Sequence, residues 1–420
     1  MHYSLTTLDN GVRVITETMP EVRSLAIGCW VDTGTRDELP NEAGAAHFLE
    51  HQLFKGSERL SARDIAEAFD AVGARSNAFT SKEETCYWAR MRDDDLALGM
   101  ELLGEMLQRP AFRPHEVDSE KHVVLEEINM NEDDPTDVAY EEFMSAVWHG
   151  HDLERPVLGT RESIAAMTPD DLRGYWGRRY HANNVVVAVA GNATHQDVVA
   201  LTQQHFGEWH HDDPTHNHGP AVISPRVNIR RRDTEQTHLV LGCEGIARGD
   251  DRRFALGLLN HVVGGGMSSR LFREIREERG LAYAVYAFSY PHSDTGAYGV
   301  YVGTTPTNTH TVLDLVKEEL DKVAENGITL EELDRSKGHV QGSLALSSED
   351  PNGRMTRLGR REINGQEHLS VDQMLARYEA VTLEDIAEVA ADLYGRPRVI
   401  GAVGPFDAAD LEHHVGAVGP

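Results

Sequence analysis

The chain contains His47-Phe48-Leu49-Glu50-His51, a stretch that predicts a helix with its chemically active groups on one face. At about 100° per residue, His47, Glu50 and His51 fall on one side of such a helix, and Leu49 points to the other. Two imidazoles at positions i and i+4 can bind one Zn²⁺, and a carboxylate between them can accept a proton from an activated water molecule. The stretch therefore predicts a metal-binding helix that packs its apolar face into a core.

A histidine pair needs a third ligand before it predicts a site, because the chain holds 22 histidines and such patterns also arise by chance on exposed helices. Residues 114–128 predict a second, acidic helix, since apolar residues recur there at helical spacing. A glutamate from this helix could complete the site. Spacing alone leaves five candidates open: Glu116, Glu120, Glu126, Glu127 and Glu132.

Short segments spread over nearly the whole chain form a further pattern: 47–56 (HFLEHQLFKG), 76–81 (SNAFTS), 84–87 (ETCY), 120–127 (EKHVVLEE), 155–160 (RPVLGT), 264–272 (GGGMSSRLF) and 276–283 (REERGLAY). The order of histidines and glutamate in the first segment is the inverzincin signature. Together these segments resemble the pitrilysin/insulinase family of metallopeptidases, which includes the mitochondrial processing peptidases and bacterial relatives of about this length.

The resemblance implies a role for each residue of the metal site. It makes His47 and His51 zinc ligands, Glu127 the third ligand and Glu50 the general base. Glu120 would orient one of the ligands, a task that zinc sites commonly give to a neighbouring carboxylate. The cofactor implied is one Zn²⁺ per chain.

Two further groups of residues are implied in substrate binding by the resemblance. Asn77, Ala78 and Phe79 lie in a short strand that, in the family, pairs at a sheet edge with an extended peptide, and main-chain pairing of this kind tolerates many sequences. Arg276 and Tyr283 correspond to family residues that reach the active site, where they could hold the substrate carbonyl or its oxyanion. The alternative for residues 77–79 is an ordinary edge strand. The alternative for the second group is that Arg276 pairs with a neighbouring acid and Tyr283 packs in a strand.

The chain also contains an internal duplication, seen in short segments of the first half that recur in the second half. Asp134-Pro135 recurs 216 positions later as Asp350-Pro351. At the same offset Glu120 and Glu127 fall on Ser336 and Ser343, and the second half has no counterpart of the histidine motif. The second half is therefore expected to keep the fold without the metal site and to serve substrate binding or closure of the chamber.

These patterns predict an α+β fold with two homologous α/β sandwich domains, each a mostly antiparallel sheet covered by helices, which together form half of a clamshell. We expect residues 1–217 to form the zinc-binding catalytic domain and residues 225–420 the non-catalytic one. The tract 208–220 is rich in His, Asp, Pro and Gly, which predicts a turn-rich linker between the two domains. Residues 282–290 and 296–304 predict a hairpin in the second domain.

Charge, cysteine content and hydrophobic patterning indicate which partners, cross-links and location to expect. The formal net charge of −29 argues against nucleic acid, whose phosphates require a basic surface, and favours basic peptides as substrates. Three scattered cysteines are too few for a disulfide framework, and we expect them to be buried thiols. No membrane span or secretory signal is visible, so the expected location is the cytoplasm.

Together the sequence predicts a zinc metalloendopeptidase that cuts unfolded peptides or leader segments inside a closed chamber. Because the family encloses its site between two halves of this size, the resemblance implies association of two chains, and a homodimer would suffice. The rival hypothesis is a non-catalytic scaffold subunit with the same fold. An intact set of ligands with its base argues against a scaffold, since burying these groups without a metal is costly.

Overall fold

A computed structural model describes residues 3–210, 218–347 and 349–416. The first part of the chain forms, in order, β1 (Tyr3–Thr7), β2 (Arg13–Thr18), β3 (Ser24–Val31), α1 (Ala45–Leu53), α2 (Ala62–Ala71), β4 (Arg75–Thr80), β5 (Thr85–Arg92), α3 (Leu96–Gln108), α4 (Pro114–Asp133), α5 (Pro135–Val147), α6 (Arg161–Ala166), α7 (Pro169–Arg179), β6 (Val185–Gly191) and α8 (His195–Phe206). The second part forms β7 (Arg226–Arg231), β8 (Thr237–Glu244), α9 (Arg253–Gly264), β9 (Ala282–Pro291), β10 (Gly296–Thr304), α10 (Thr309–Asn326), α11 (Leu330–Ser347), α12 (Pro351–Ile363), α13 (Val371–Ala380), α14 (Leu383–Tyr394), β11 (Arg398–Gly404) and α15 (Ala408–Leu411). A π-helix (Phe272–Glu278) lies between α9 and β9.

The chain divides into two compact units, and each is built from separate stretches of sequence. The first unit comprises Met1–Ile128, Arg155–Asn217 and Ala345–Val371. The second unit comprises Asn129–Glu154, His218–Leu344 and Asp372–Pro420.

The sheet of the first unit has the strand order β1-β2-β6-β3-β5-β4 within the described residues. Strands β2 and β6 are parallel and the other neighbours are antiparallel. Successive residues of β6 face opposite sides of the sheet, as the two-residue period of a strand requires. Val187 belongs to the core formed with α1 and α3, and Val186 to the core formed with α12. The unit is therefore a sheet with helices on both faces.

The sheet of the second unit has the order β7-β11-β8-β10-β9, which matches the first sheet without its β1. Its parallel pair, β7 and β11, occupies the position of β2 and β6. The predicted hairpin is confirmed as β9 and β10, which pair antiparallel. These two sheets with their helices confirm the predicted α+β class.

The compact units differ from the predicted continuous domains 1–217 and 225–420, because each unit takes a helix from the other half of the sequence. Helix α12 packs on β2, β3 and β6 of the first sheet, and α5 packs on β7, β8 and β11 of the second. Glycines make the close approach possible. A Cβ at Gly359 of α12 would lie 1.9 Å from Nε1 of Trp30, and a Cβ at Gly401 of β11 would lie 2.0 Å from the backbone N of Phe143.

The duplicated Asp-Pro dipeptides begin these two exchanged helices. Asp134 is the N-cap of α5 and accepts a hydrogen bond from the Thr136 backbone N–H, and Asp350 is the N-cap of α12 and accepts from that of Gly353. Proline at the first helical position has the φ angle that a helix needs there. Residues 211–217 of the predicted linker lie outside the described residues.

Candidate metal centre

Helix α1 directs the predicted ligands to one face and its apolar residues to the core. Ala45, Leu49 and Leu53 are fully buried beneath the helix. His47 and His51 lie one turn apart on the other face, with ring centroids 4.7 Å apart. The helix begins after Gly44, whose φ of 87° is in the left-handed region that favours glycine. The amphipathic pattern of the sequence therefore determines which groups face the site.

Helix α4 brings Glu127 to the histidine pair. Nε2 of His47 and Nε2 of His51 are 3.2 Å apart. Oε2 of Glu127 lies 3.4 Å from each of these nitrogens. Three potential ligand atoms from two helices therefore form a nearly equilateral triangle.

This triangle fits a tetrahedral zinc ion. With bonds of about 2.0–2.1 Å, the ligand atoms of such an ion are about 3.3–3.4 Å apart. The observed edges of 3.2, 3.4 and 3.4 Å agree with that value. Two imidazoles and one carboxylate are a donor set that suits Zn²⁺ better than Mg²⁺ or Ca²⁺, which prefer oxygen. The fourth position of the tetrahedron would remain for water or substrate.

Glu120 lies behind His51 and links it to a lysine. One oxygen of Glu120 is 2.9 Å from Nδ1 of His51, and the other is 2.6 Å from Nζ of Lys55. Because a carboxylate only accepts hydrogen bonds, Nδ1 of His51 donates, and its Nε2 is left with a lone pair for a metal. Nδ1 of His47 is buried with no hydrogen-bond partner among the described residues, so packing holds that ring.

Glu50 lies on the same face of α1 and accepts a hydrogen bond from the hydroxyl of Thr80, at 2.6 Å. Burial raises the pKa of Glu50, and the Thr80 hydrogen bond opposes this increase. A carboxylate with a raised pKa is a better proton acceptor near neutral pH than an exposed one. The second oxygen of Glu50 is not engaged by Thr80 and is available for proton transfer.

The two histidines differ in their electrostatic surroundings. Burial and the adjacent His51 ring lower the pKa of His47 to about 4, so at neutral pH the ring is uncharged and one of its nitrogens has a lone pair for a metal. Burial also acts to lower the pKa of His51, but Glu120, Glu127 and Glu50 outweigh it and raise that pKa. The carboxylates that favour a proton on His51 attract a metal cation by the same Coulomb interaction.

Of the five glutamates that spacing left open, the structure brings two to the histidines. Glu127 approaches both imidazoles and Glu120 approaches His51. Glu116 instead lies 3.4 Å from His115, in the first turn of α4. Spacing could not separate these glutamates, because all of them lie on one acidic helix, and it was the family resemblance that singled out Glu127 and Glu120.

Strand β4, which carries the predicted substrate-binding residues, is at the edge of the first sheet and pairs with β5. The Oδ1 atom of Asn77 accepts a hydrogen bond from the Ala78 backbone N–H, and Phe79 packs against Trp30. The strand ends at Thr80, the residue that binds Glu50. The edge strand therefore leads directly to the carboxylate of the site.

Arg276 and Tyr283 lie in the second unit and contact each other. The guanidinium of Arg276 is 4.7 Å from the ring centre of Tyr283 and equally far from that of Phe272. Arg276 is part of the π-helix, and Tyr283 near the start of β9 is 78% exposed. Arg276 also forms a long ion pair with the neighbouring Glu277, with Nε 3.9 Å from the carboxylate, so this part of the alternative is observed.

Two residues of the centre were not predicted from the sequence. Lys55 follows His51 by four positions, so the spacing that relates the two histidines could have indicated it. Thr80 gave no comparable signal, because its contact with Glu50 depends on how β4 packs against α1.

Comparison with known proteins gives matches to two family models. The model described as insulinase (peptidase family M16) matches residues 13–161, and the one described as peptidase M16 inactive domain matches residues 166–339. A protein of Streptomyces coelicolor named as an uncharacterized zinc protease is 44% identical over 412 residues, which cover 96% of this chain and 89% of the relative. A Bacillus subtilis protein with the same description is 38% identical over 399 residues, which cover 95% of this chain and 97% of the relative.

Two solved structures are similar in fold. One is described as the peptidase M16 inactive domain from Pseudomonas fluorescens, with a TM-score of 0.91, 22% identity and coverage of 97% of this chain and 99% of that one. The other is a protease from Helicobacter pylori, with a TM-score of 0.89, 21% identity and coverage of 96% and 99%. In the described part of the chain, no helix is long and apolar enough to cross a membrane.

Proposed function

The chain belongs to the insulinase family, peptidase family M16, and on that basis we propose that it is a zinc-dependent metalloendopeptidase acting on unfolded peptides. The observation that carries the proposal is the convergence of His47, His51 and Glu127 on one point, with edges of 3.2 to 3.4 Å. These three residues would hold one Zn²⁺ per chain.

The residues around the metal position have separate tasks in this proposal. A zinc ion bound there would act as a Lewis acid that polarises a carbonyl oxygen and acidifies water. Glu50 removes the proton from the attacking water and later delivers it to the leaving amine. Thr80 holds one oxygen of Glu50 by its hydrogen bond of 2.6 Å, and the other oxygen would accept the proton. Glu120 keeps His51 in the tautomer that a metal needs.

The edge strand β4 supplies a place for the substrate backbone. An extended peptide can add to an open sheet edge through main-chain hydrogen bonds, with little dependence on its side chains. Because β4 ends at Thr80, a peptide added along Asn77, Ala78 and Phe79 would run past the carboxylate of Glu50. This arrangement suits unfolded segments and excludes folded substrates, whose backbone is already paired.

The test is cleavage of unstructured, arginine-containing peptides, followed by mass spectrometry. We expect the tag-free chain to cut them, chelation to abolish cutting, and Zn²⁺ to restore it. Glu50→Gln should retain zinc but lose about 10²–10⁴-fold in kcat, because a single proton-transfer group contributes about that much. Zinc content measured on the same samples separates loss of the base from loss of the metal.

The alternative, a non-catalytic scaffold subunit, predicts that the zinc-loaded chain cuts none of these peptides. The second family model is described as an inactive domain, and it matches residues 166–339, outside the metal centre. A zinc-loaded chain that cuts none of the peptides would contradict the peptidase proposal and favour a scaffold or a requirement for a different partner chain.

We further propose that the active form is a homodimer in which Arg276 and Tyr283 of one subunit serve the zinc centre of the other. Tyr283 is exposed and the partly buried Arg276 lies over its ring, which supports a role at a surface rather than in a core. Mixing the inactive variants Glu50→Gln and Arg276→Ala should restore part of the activity, since one of the two mixed sites would then be intact. Absence of recovery after subunit exchange has been verified would refute this arrangement.

A further inference from the structure

A second group of histidines lies in the second unit, outside the centre described above. His310 is in the first turn of α10. His413 and His414 belong to a 3-10 helix (Glu412–His414) that follows α15 and packs on α10. The cluster therefore joins the beginning of one helix to a segment about one hundred residues later in the chain.

The ring nitrogens of this cluster face one another. Nδ1 of His310 is 3.2 Å from Nε2 of His414, close to the spacing of two ligands on one tetrahedral metal ion. One ligand nitrogen from each of the three histidines lies within 4.8 Å of the others. The ring of His413 is 3.9 Å from that of His414 and 5.5 Å from that of His310. A hydrogen bond between His310 and His414 would explain the distance of 3.2 Å between their nitrogens, but it would not explain why His413 lies beside them.

Asp314 orients the central histidine of the cluster. Its carboxylate is 3.3 Å from Nδ1 of His414, on the side of the ring away from His310. A carboxylate in this position favours a proton on Nδ1 and leaves the Nε2 lone pair directed at His310. This carboxylate–histidine pair is the arrangement that commonly orients metal-binding imidazoles.

One ring of the cluster is buried and two are exposed, so an ion from solution can reach the three nitrogens. His414 is only 2% exposed, so packing fixes its ring, whereas His310 and His413 are exposed and can adjust. From this geometry we propose that His310, His413 and His414 form a second metal site, which takes a divalent transition-metal ion that prefers imidazole, such as Zn²⁺ or Ni²⁺. The ion would fasten the C-terminal 3-10 helix to α10 and has no part in peptide hydrolysis.

The test counts bound metal in full-length, tag-free protein that has been stripped with a chelator and dialysed against micromolar Zn²⁺. His310→Ala and His413→Ala change exposed rings, so each variant should fold. Each should bind one zinc ion per chain fewer than the unchanged protein. His115→Ala is the matched control, because its side chain is exposed on another helix and it should leave the count unchanged.

The difference in zinc count between the variants does not depend on the peptidase proposal. The centre at His47 and His51 and the histidine-rich tract 210–218 are the same in the unchanged protein and in all three variants. A second measurement is thermal unfolding with and without Zn²⁺. The rise in Tm on adding zinc should be smaller in His310→Ala than in the His115→Ala control. Equal zinc counts in all four proteins would overturn the proposal, as would equal increases in Tm.

Discussion

Glu120→Gln tests whether the carboxylate behind His51 strengthens metal binding. In the structure Glu120 accepts from His51 Nδ1 at 2.9 Å and from Lys55 Nζ at 2.6 Å, and its side chain is 5% exposed. The two donors bind different oxygens of Glu120, and glutamine would place an NH2 group at one of these two positions and would carry no charge. Loss of such a supporting group typically weakens metal binding about 10–100-fold, which corresponds to about 1.4–2.7 kcal/mol.

The assay is competition for Zn²⁺ between the protein and a chromophoric chelator of known affinity. Glu116→Gln is the matched control, because Glu116 lies on the same helix but next to His115. We expect Glu120→Gln to weaken zinc binding by one to two orders of magnitude and the control to leave it unchanged. Equal zinc affinities for both variants and the unchanged chain would refute the reasoning that Glu120 acts through His51.

Two predictions concern stability. Gly359→Ala should lower the free energy of unfolding by about 1–3 kcal/mol, because the new Cβ would lie 1.9 Å from the buried Trp30 ring. A Cβ at Gly338 of α11 would meet no other atom, so Gly338→Ala should raise the free energy of unfolding slightly. Urea unfolding of the two variants and the unchanged chain measures both effects. Burial acts to raise the pKa of Glu332, but the Arg270 guanidinium and the hydrogen bonds from Thr329 outweigh it and lower that pKa from 4.5 to about 2. A depressed carboxylate pKa stabilises the fold above about pH 4.5 and loses this effect as the pH falls towards 2. Glu332→Gln should therefore lower the free energy of unfolding less at about pH 3 than at pH 7. An equal decrease at both pH values would contradict the lowered pKa of Glu332.

The α+β class could be predicted from the sequence, because apolar residues recur at the periods of helices and strands along the whole chain. The hairpin of β9 and β10 was predictable for the same reason. The Asp-Pro dipeptides were identified in the sequence as a repeat, and the structure shows that they begin helices. The exchange of α5 and α12 between the units could not be predicted, because an amphipathic helix can cover either of two similar sheets. The shapes of the two interfaces, including Gly359 against Trp30, decide between them.

The metal centre was predictable in part for a similar reason. Residues one helical turn apart lie on the same face by geometry, so His47 and His51 could be paired from their spacing alone. The choice of Glu127 from that acidic helix came from the family resemblance, and the approach of α4 to α1 brings its carboxylate within 3.4 Å of both rings. The role of Thr80 depends on a strand 30 residues away and had no local signal.

The sequence by itself determined the elements of this protein, their apolar faces and the histidine pair, since all of these follow from periodicities within a few turns of chain. Only the tertiary structure decided which sheet each exchanged helix covers and that histidines 310, 413 and 414 come together. These are contacts between residues distant in sequence. They depend on the complementary shapes of packed elements, and periodicity within a single element contains no information about its partner.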